Sequence, residues 1–339
     1  MPSSLTGYRL ACANHVPFIG VTCTTGAQAT PPAGSYVGTP DTADALRLVV
    51  SSDLADIGRT ATMTDTASDW FQGGYVWIPS RGEQRRISDQ GYVDSVDADD
   101  PLSAGGAVQV GAVYLNRNLA TALAPGTAVE IHPLIPVLNA DRLPGWHTLI
   151  NRALRSMRWV RRIAFTGNAG DRYSLAAHPE ITHEAQVAAA YMAETGSNTE
   201  PSPLYGGASL RWDADAGYLI TGQYQSSGSP FTVDFYIPAS AWIKVGGTWA
   251  ASAVGLVNET DEAMPPVDQV VKVAQYFAFD ALSRYAPAEA DRSAWMYERD
   301  RAAVIARQFM HFMQPEVKTS GPAVSRLATS GASMRTSWP

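Results

Sequence analysis

Apolar and polar positions change period several times along the chain, and each change marks a predicted element. Residues 1–44 carry no regular period, and Pro, Gly and Thr dominate, as in Pro31-Pro32 and Gly38-Thr39-Pro40. An extended N-terminal arm is predicted there, with a short helical start at 41–46. Residues 45–136 read as a β-rich domain. Short apolar or alternating runs at 46–50, 75–78, 85–93, 107–115 and 126–132 are separated by Gly and Pro, the punctuation of a small barrel or sandwich. At 144–163 the period becomes helical. Leu149, Ile150, Ala153, Leu154, Met157 and Val160 recur at three-to-four spacing behind Pro144, which predicts the first core helix. Residues 164–260 return to β around a short helix at 184–193. A hairpin at 208–221, an alternating strand at 231–237 and a meander through Trp242 and Trp249 are predicted. Residues 266–314 read as a helical pair broken at Pro287. The first helix carries Val267, Val270, Val271, Ala274, Phe277, Ala278, Ala281 and Leu282. The second carries Ala290, Ala294, Tyr297, Arg301, Val304, Ile305, Phe309, Met310 and Met313. Residues 315–339 are rich in Ser, Thr, Gly and Pro and predict an extended C-terminal tail. The fold class expected is therefore α+β. Discontinuous helical segments form a bundle core, with inserted antiparallel barrel- or sandwich-like β domains and extended terminal arms.

Composition narrows the function. The chain has 339 residues, of which 45 % are hydrophobic and 17 % charged. That charged share is low against the roughly 25 % of ordinary soluble domains, and it suits a protein that hides much of its surface against partners. The net charge of −7 is no overall nucleic-acid footprint. The only cysteines are Cys12 and Cys23, too few for a disulfide scaffold; reduced thiols of a protein made in a cytoplasm are expected. The start of the chain lacks the apolar stretch of a signal peptide, and no run reaches the ~18 apolar residues of a membrane helix, so no membrane partner is expected.

Candidate chemistry is sparse. His178 and His183 are five apart with Pro179 between them. A zinc-protease helix needs two His four apart, so no metal is expected there despite Glu180 and Glu184. Asp213 and Asp215 resemble the opening of a calcium loop, but the sixth and twelfth places hold Tyr218 and Tyr224 rather than Gly and Glu. No Gly-x-Ser-x-Gly elbow and no phosphate loop with Lys-Ser or Lys-Thr occurs. Trp77, Trp212, Trp242 and Trp249 sit in predicted strands, where packing is the expected use. Neither an enzyme nor a cofactor is expected, and the catalytic and metal sets are empty.

One charge feature stands out. On the predicted helix 144–163, Arg152, Arg155, Arg158 and Arg162 fall on the face opposite the apolar stripe, with Arg161 beside them. Each guanidinium stays charged and can fork onto a carboxylate or a phosphate. The expectation is an interface: these arginines meet acidic residues of an adjacent subunit or of a docking protein, with DNA phosphates as the alternative partner.

Several phrases carry a family resemblance. They are Gly126-Thr127-Ala128-Val129-Glu130-Ile131-His132-Pro133, then Gly145-Trp146, then Leu149-Ile150-Asn151-Arg152-Ala153-Leu154, and the closing pair from Pro265-Pro266-Val267 to Tyr285 and from Arg292 to Phe312. In this order they resemble the head–tail adaptor (connector or neck) proteins of tailed bacteriophages. The resemblance covers residues 107–163 and 260–314. It implies a structural virion protein, made in the host cytoplasm, that forms a homo-oligomeric ring joining the portal to the tail. It also implies that the ring lines or surrounds the DNA channel and contacts portal, tail and neck proteins. Two alternative readings stand beside it: a tail-associated glycan-binding or glycan-cleaving protein, suggested by the β-rich middle and the tryptophans, and a tail-terminator or decoration protein.

Overall fold

Helices and antiparallel sheets alternate along the chain, and the fold is α+β. A computed structural model describes residues 2–15, 21–24, 47–50, 73–93, 111–115, 119, 128–132, 134–192, 202–203, 211–213, 216–221, 225–285 and 289–312. Among these, the strands in chain order are β1 (Ser3–Ser4), β2 (Val21–Thr24), β3 (Arg47–Val50), β4 (Tyr75–Ile78), β5 (Glu83–Val93), β6 (Gly111–Leu115), β7 (Ala128–His132), β8 (Arg158–Thr166), β9 (Arg172–Ser174), β10 (Gln186–Met192), β11 (Ser202–Pro203), β12 (Arg211–Asp213), β13 (Tyr218–Ile220), β14 (Pro230–Pro238), β15 (Trp242–Val245), β16 (Thr248–Ala251) and β17 (Glu262–Ala263). The α-helices are α1 (Leu5–His15), α2 (Trp146–Ser156), α3 (Val267–Tyr285) and α4 (Glu289–Phe312). The chain divides into two compact units. Unit 1 is Met1–Leu5, Asn151–Val273 and Ala302–Pro339; unit 2 is Thr6–Ile150 and Ala274–Arg301. The boundaries fall inside α1, α2, α3 and α4.

Unit 1 is built on the sheet β11-β10-β14-β8. β14 pairs antiparallel with β8 over nine residues, from Pro230 opposite Thr166 to Pro238 opposite Arg158. Alternation along β14 sends Phe231, Val233, Phe235 and Ile237 into one core with Ile163, Tyr173, Leu175 and Leu219. Phe165 stacks on Phe231 at 5.2 Å between ring centroids, and Tyr173 meets Phe231 edge-on at 4.8 Å, geometries that add to simple burial. The meander at β15–β16 turns on Gly246 and Gly247, whose φ values of 56° and 88° lie in the left-handed region that glycine adopts without steric cost. Unit 2 is built on the six-stranded sheet β2-β7-β4-β5-β6-β3. Among the described residues no sheet closes into a barrel.

Four expectations are corrected. The arm at 1–44 is not extended at its start. It forms β1 and α1, where Leu5, Tyr8 and Cys12 are buried at the 0, +3, +7 positions of one helical face, and it contributes β2 to the sheet of unit 2; residues 25–46 lie outside the described residues. The helix at 144–163 stops at Ser156, and Arg158–Thr166 is β8. Periods 3.6 and 2 both fit Met157 to Ile163, and nine residues of ladder with β14 decide it, because the pairing gives the segment inter-strand hydrogen bonds in place of helical ones. The short helix expected at 184–193 is β10, paired with β14. In the helical pair, α3 buries its stripe at Val270, Val271, Ala274, Phe277, Ala278, Ala281 and Leu282, but α4 does not. Ala294, Tyr297, Arg301, Val304 and Ile305 of its apolar stripe are exposed and Phe309 and Met310 are half-buried, while among the described residues Ala306, one step around the helix, is the buried position. The tail at 315–339 lies outside the described residues.

Candidate functional site

The arginines separate once the helix ends at Ser156. Arg152 and Arg155 stay on α2, while Arg158 and Arg162 belong to β8. The α2 carboxyl end is closed locally: the Met157 amide donates to Ala153 O at 3.1 Å, the Ser156 hydroxyl donates to the same oxygen at 2.8 Å, and Arg158 Nη1 donates to Arg155 O at 3.2 Å. These bonds serve carbonyls that a helix end leaves without partners. Arg162 lies directly across from Asp234 in the β8–β14 register and grips it with two bonds of 2.8 Å, from Nε to Oδ1 and from Nη2 to Oδ2. Asp234 is buried, and the fork gives both of its carboxylate oxygens a charged partner. Arg161 points to the other face. Its Nε donates to Glu180 at 3.0 Å, and its guanidinium carbon sits 4.1 Å from the Trp242 ring centroid, a cation–π stack. Arg155 Nη2 donates to Glu184 Oε1 at 2.6 Å, and that bond, with the carboxylate charge, raises the Arg155 pKa further. The single stripe expected from the sequence is therefore corrected: three of its arginines, counting Arg161, meet carboxylates of their own chain.

Arg152 and Arg155 form one wall of a cleft of about 520 Å³ that lies wholly in unit 1. Thr182, His183 and Glu184 form a second wall, and Pro238, Ser240, Ala241, Ser252 and Val254 complete it. Asn151 fixes the loop beneath. Its Nδ2 donates to Leu256 O and its Oδ1 accepts from the Leu256 amide, both at 2.8 Å. Gly255, at φ 84°, is required there, since a Cβ would lie 2.2 Å from Asn151 Oδ1. Among the described residues no group of three His, Cys, Asp or Glu side chains converges to hold a metal ion; His178 Nδ1 lies 3.5 Å from Glu180 Oε1.

A second polar cluster, invisible in the arginine pattern, lies in unit 2. Arg9 of α1 is fully buried and bonds Glu130 of β7 with both Nε, at 2.8 Å, and Nη2. His132 Nε2 lies 3.0 Å from Glu130 Oε2. Positions 130 and 132 share one face of the strand, which is the one signal in the sequence that could have paired them. The Arg9 guanidinium sits 5.8 Å from the Trp77 ring centroid, and Trp77 meets His147 edge-on at 5.7 Å. Burial pushes the His132 pKa down, and the hydrogen bond to Glu130 only partly offsets it. Burial also acts to raise Glu130, but the hydrogen bonds and charges of His132 and Arg9 outweigh it and hold the carboxyl low. A neutral His132 then donates from Nε2, and its buried Nδ1 has no partner among the described residues. Burial and the carboxylate of Asp141 raise the Tyr75 hydroxyl to about 12, against Arg86. Cys12 is a free, buried thiol with its pKa pushed up by burial. It is a poor nucleophile, since the thiolate is the reactive form.

No described helix is long and apolar enough to cross a membrane. Comparison with protein-family models, with curated proteins and with solved structures finds no match to this chain.

Proposed function

We propose that this protein is a structural subunit that assembles into a ring, and that the ring is the adaptor joining portal to tail in a tailed-phage particle. The observation that carries the assembly step is α4. Its apolar stripe at Tyr297, Val304 and Ile305 faces solvent, with Tyr297 69 % and Val304 63 % exposed and Met296 exposed beside them. A helix of 24 residues draws most of its stability from burying an apolar face, and contiguous exposed apolar surface marks an interaction site. The occupant is a second copy of the chain. In this reading α2, α3 and α4 supply the helical body of each ring subunit, and the β segments are additions carried on it. The placement at the portal rests on the phage-adaptor resemblance of Gly126–Pro133, the α2 phrase and the closing helices.

Mixing the purified chain with portal protein on a size-exclusion column tests the placement. Co-elution in a stoichiometric complex supports it. Separate elution, with tail proteins failing to bind as well, overturns the adaptor role while leaving self-assembly to be judged by mass.

A further inference from the structure

The cleft of unit 1 is rich in donors, in a chain whose net charge is −7. Arg155 reaches one oxygen of Glu184 through Nη2 alone, and its side chain is 69 % exposed. A guanidinium carries five N–H donors in a rigid fork, so most of that fork faces the cleft without a partner among the described residues. The Ser240 hydroxyl and the His183 ring add donors along the same walls, against the single carboxylate of Glu184. Pro238, Ala241 and Val254 add apolar lining to the same cleft, with Val254 70 % exposed. The volume of about 520 Å³ lies in the range of ligand pockets.

We propose that this cleft binds an acidic peptide segment of a partner protein, whose Asp or Glu carboxylate takes the Arg155 fork in place of Glu184 while its neighbouring apolar side chain covers Val254. Each wall points to that class. The fork matches a planar carboxylate bidentately, and the apolar lining asks for a ligand whose charge is attached to an aliphatic body, which inorganic phosphate lacks. The lining has no Trp, Tyr or Phe on which a sugar ring would stack, which separates this site from an acidic glycan. Glu184 is a built-in competitor. It holds Arg155 in the empty cleft and must give way when the ligand carboxylate arrives. The inference needs only unit 1 and does not depend on ring assembly.

The test titrates the full-length protein with fluorescein-labelled, amidated Leu-Asp-Leu-Glu and follows anisotropy, with Leu-Asn-Leu-Gln as the control. Saturable binding of the acidic peptide is expected, weaker by about tenfold for the amide peptide and for R155E. Glu184→Gln removes the competitor and tightens binding by roughly threefold, the scale of one exposed ion pair. Residues 155 and 184 are solvent-accessible, and a circular-dichroism melt matching the parent verifies that each variant is folded. Failure to saturate at millimolar peptide overturns the proposal, as does an E184Q variant that binds no better than the parent. Competition by phosphate or glucuronate at the potency of the acidic peptide assigns the cleft to anions in general and overturns it equally.

Discussion

At the scale of single residues, the Arg9–Glu130–His132 group holds the N-terminal helix to the sheet of unit 2, and its burial makes it sensitive to acid. Removing one partner of a buried ion pair strands the other charge, at a cost of about 3–5 kcal/mol. Glu130→Ala is therefore expected to lower the urea midpoint by that amount of stability, with α1 the first segment to lose amide-exchange protection. The pH dependence has one sign. His132 titrates in the fold below its unfolded value of about 6.5. The stability tied to its neutral form is complete above that pH and is lost as pH falls through the lower folded value. Glu130, also held low, acts in the same direction at more acid pH. His132→Gln is expected to flatten the loss of stability between neutral pH and the onset of carboxylate titration; an unchanged pH profile of the unfolding free energy would show that another group sets the slope. Glu130 and His132 could be seen in the sequence only as a phrase. Their partner lies 121 residues earlier, in a stretch whose Gly, Thr and Pro content hid a short helix.

At the scale of elements, the strands were the more legible part. β4, β14 and the β15–β16 hairpin follow directly from alternation and from Gly-Gly turns. The end of α2 was not legible, because Met157 to Ile163 satisfies both periods and only the distant β14 decides between them. The same ambiguity hid the site. An apparent row of four equivalent arginines is in fact Arg162 clamped on a buried aspartate, Arg155 on an exposed glutamate, Arg158 on the Arg155 carbonyl and Arg152 on the wall of the cleft. These positions are expected to behave differently. Arg162→Ala leaves Asp234 buried without its fork and is expected to cost about 1–3 kcal/mol, whereas Arg155→Glu leaves the thermal midpoint unchanged. Equal effects in differential scanning calorimetry would mean that the β8–β14 pair does not fix Asp234. The α2 start is equally specific. The Gly145 amide donates to Asn139 Oδ1 at 2.8 Å, and a Cβ at 145 would lie 2.3 Å from Val137 O. Gly145→Ala must displace backbone rather than a side chain, and a loss of about 1–3 kcal/mol is expected on chemical denaturation.

At the scale of the whole molecule, low charge and an outward apolar stripe on α4 point the same way. The helical period of α4 was readable from Tyr297, Val304 and Ile305, but not the direction in which it faces. A stripe that would ordinarily be core lies on the surface because Ala306 and its neighbours occupy the inner face. Assembly through α4 is open to direct test. The most direct measurement is the solution mass of the purified chain by light scattering, with negative-stain class averages of the same sample, beside a Tyr297→Glu/Val304→Glu variant. The expected result is a particle at a multiple of the 36.3 kDa subunit mass with rotational symmetry, and a folded monomer for the variant. A parent chain that runs at 36.3 kDa at every concentration, or a variant that assembles as the parent does, would contradict it.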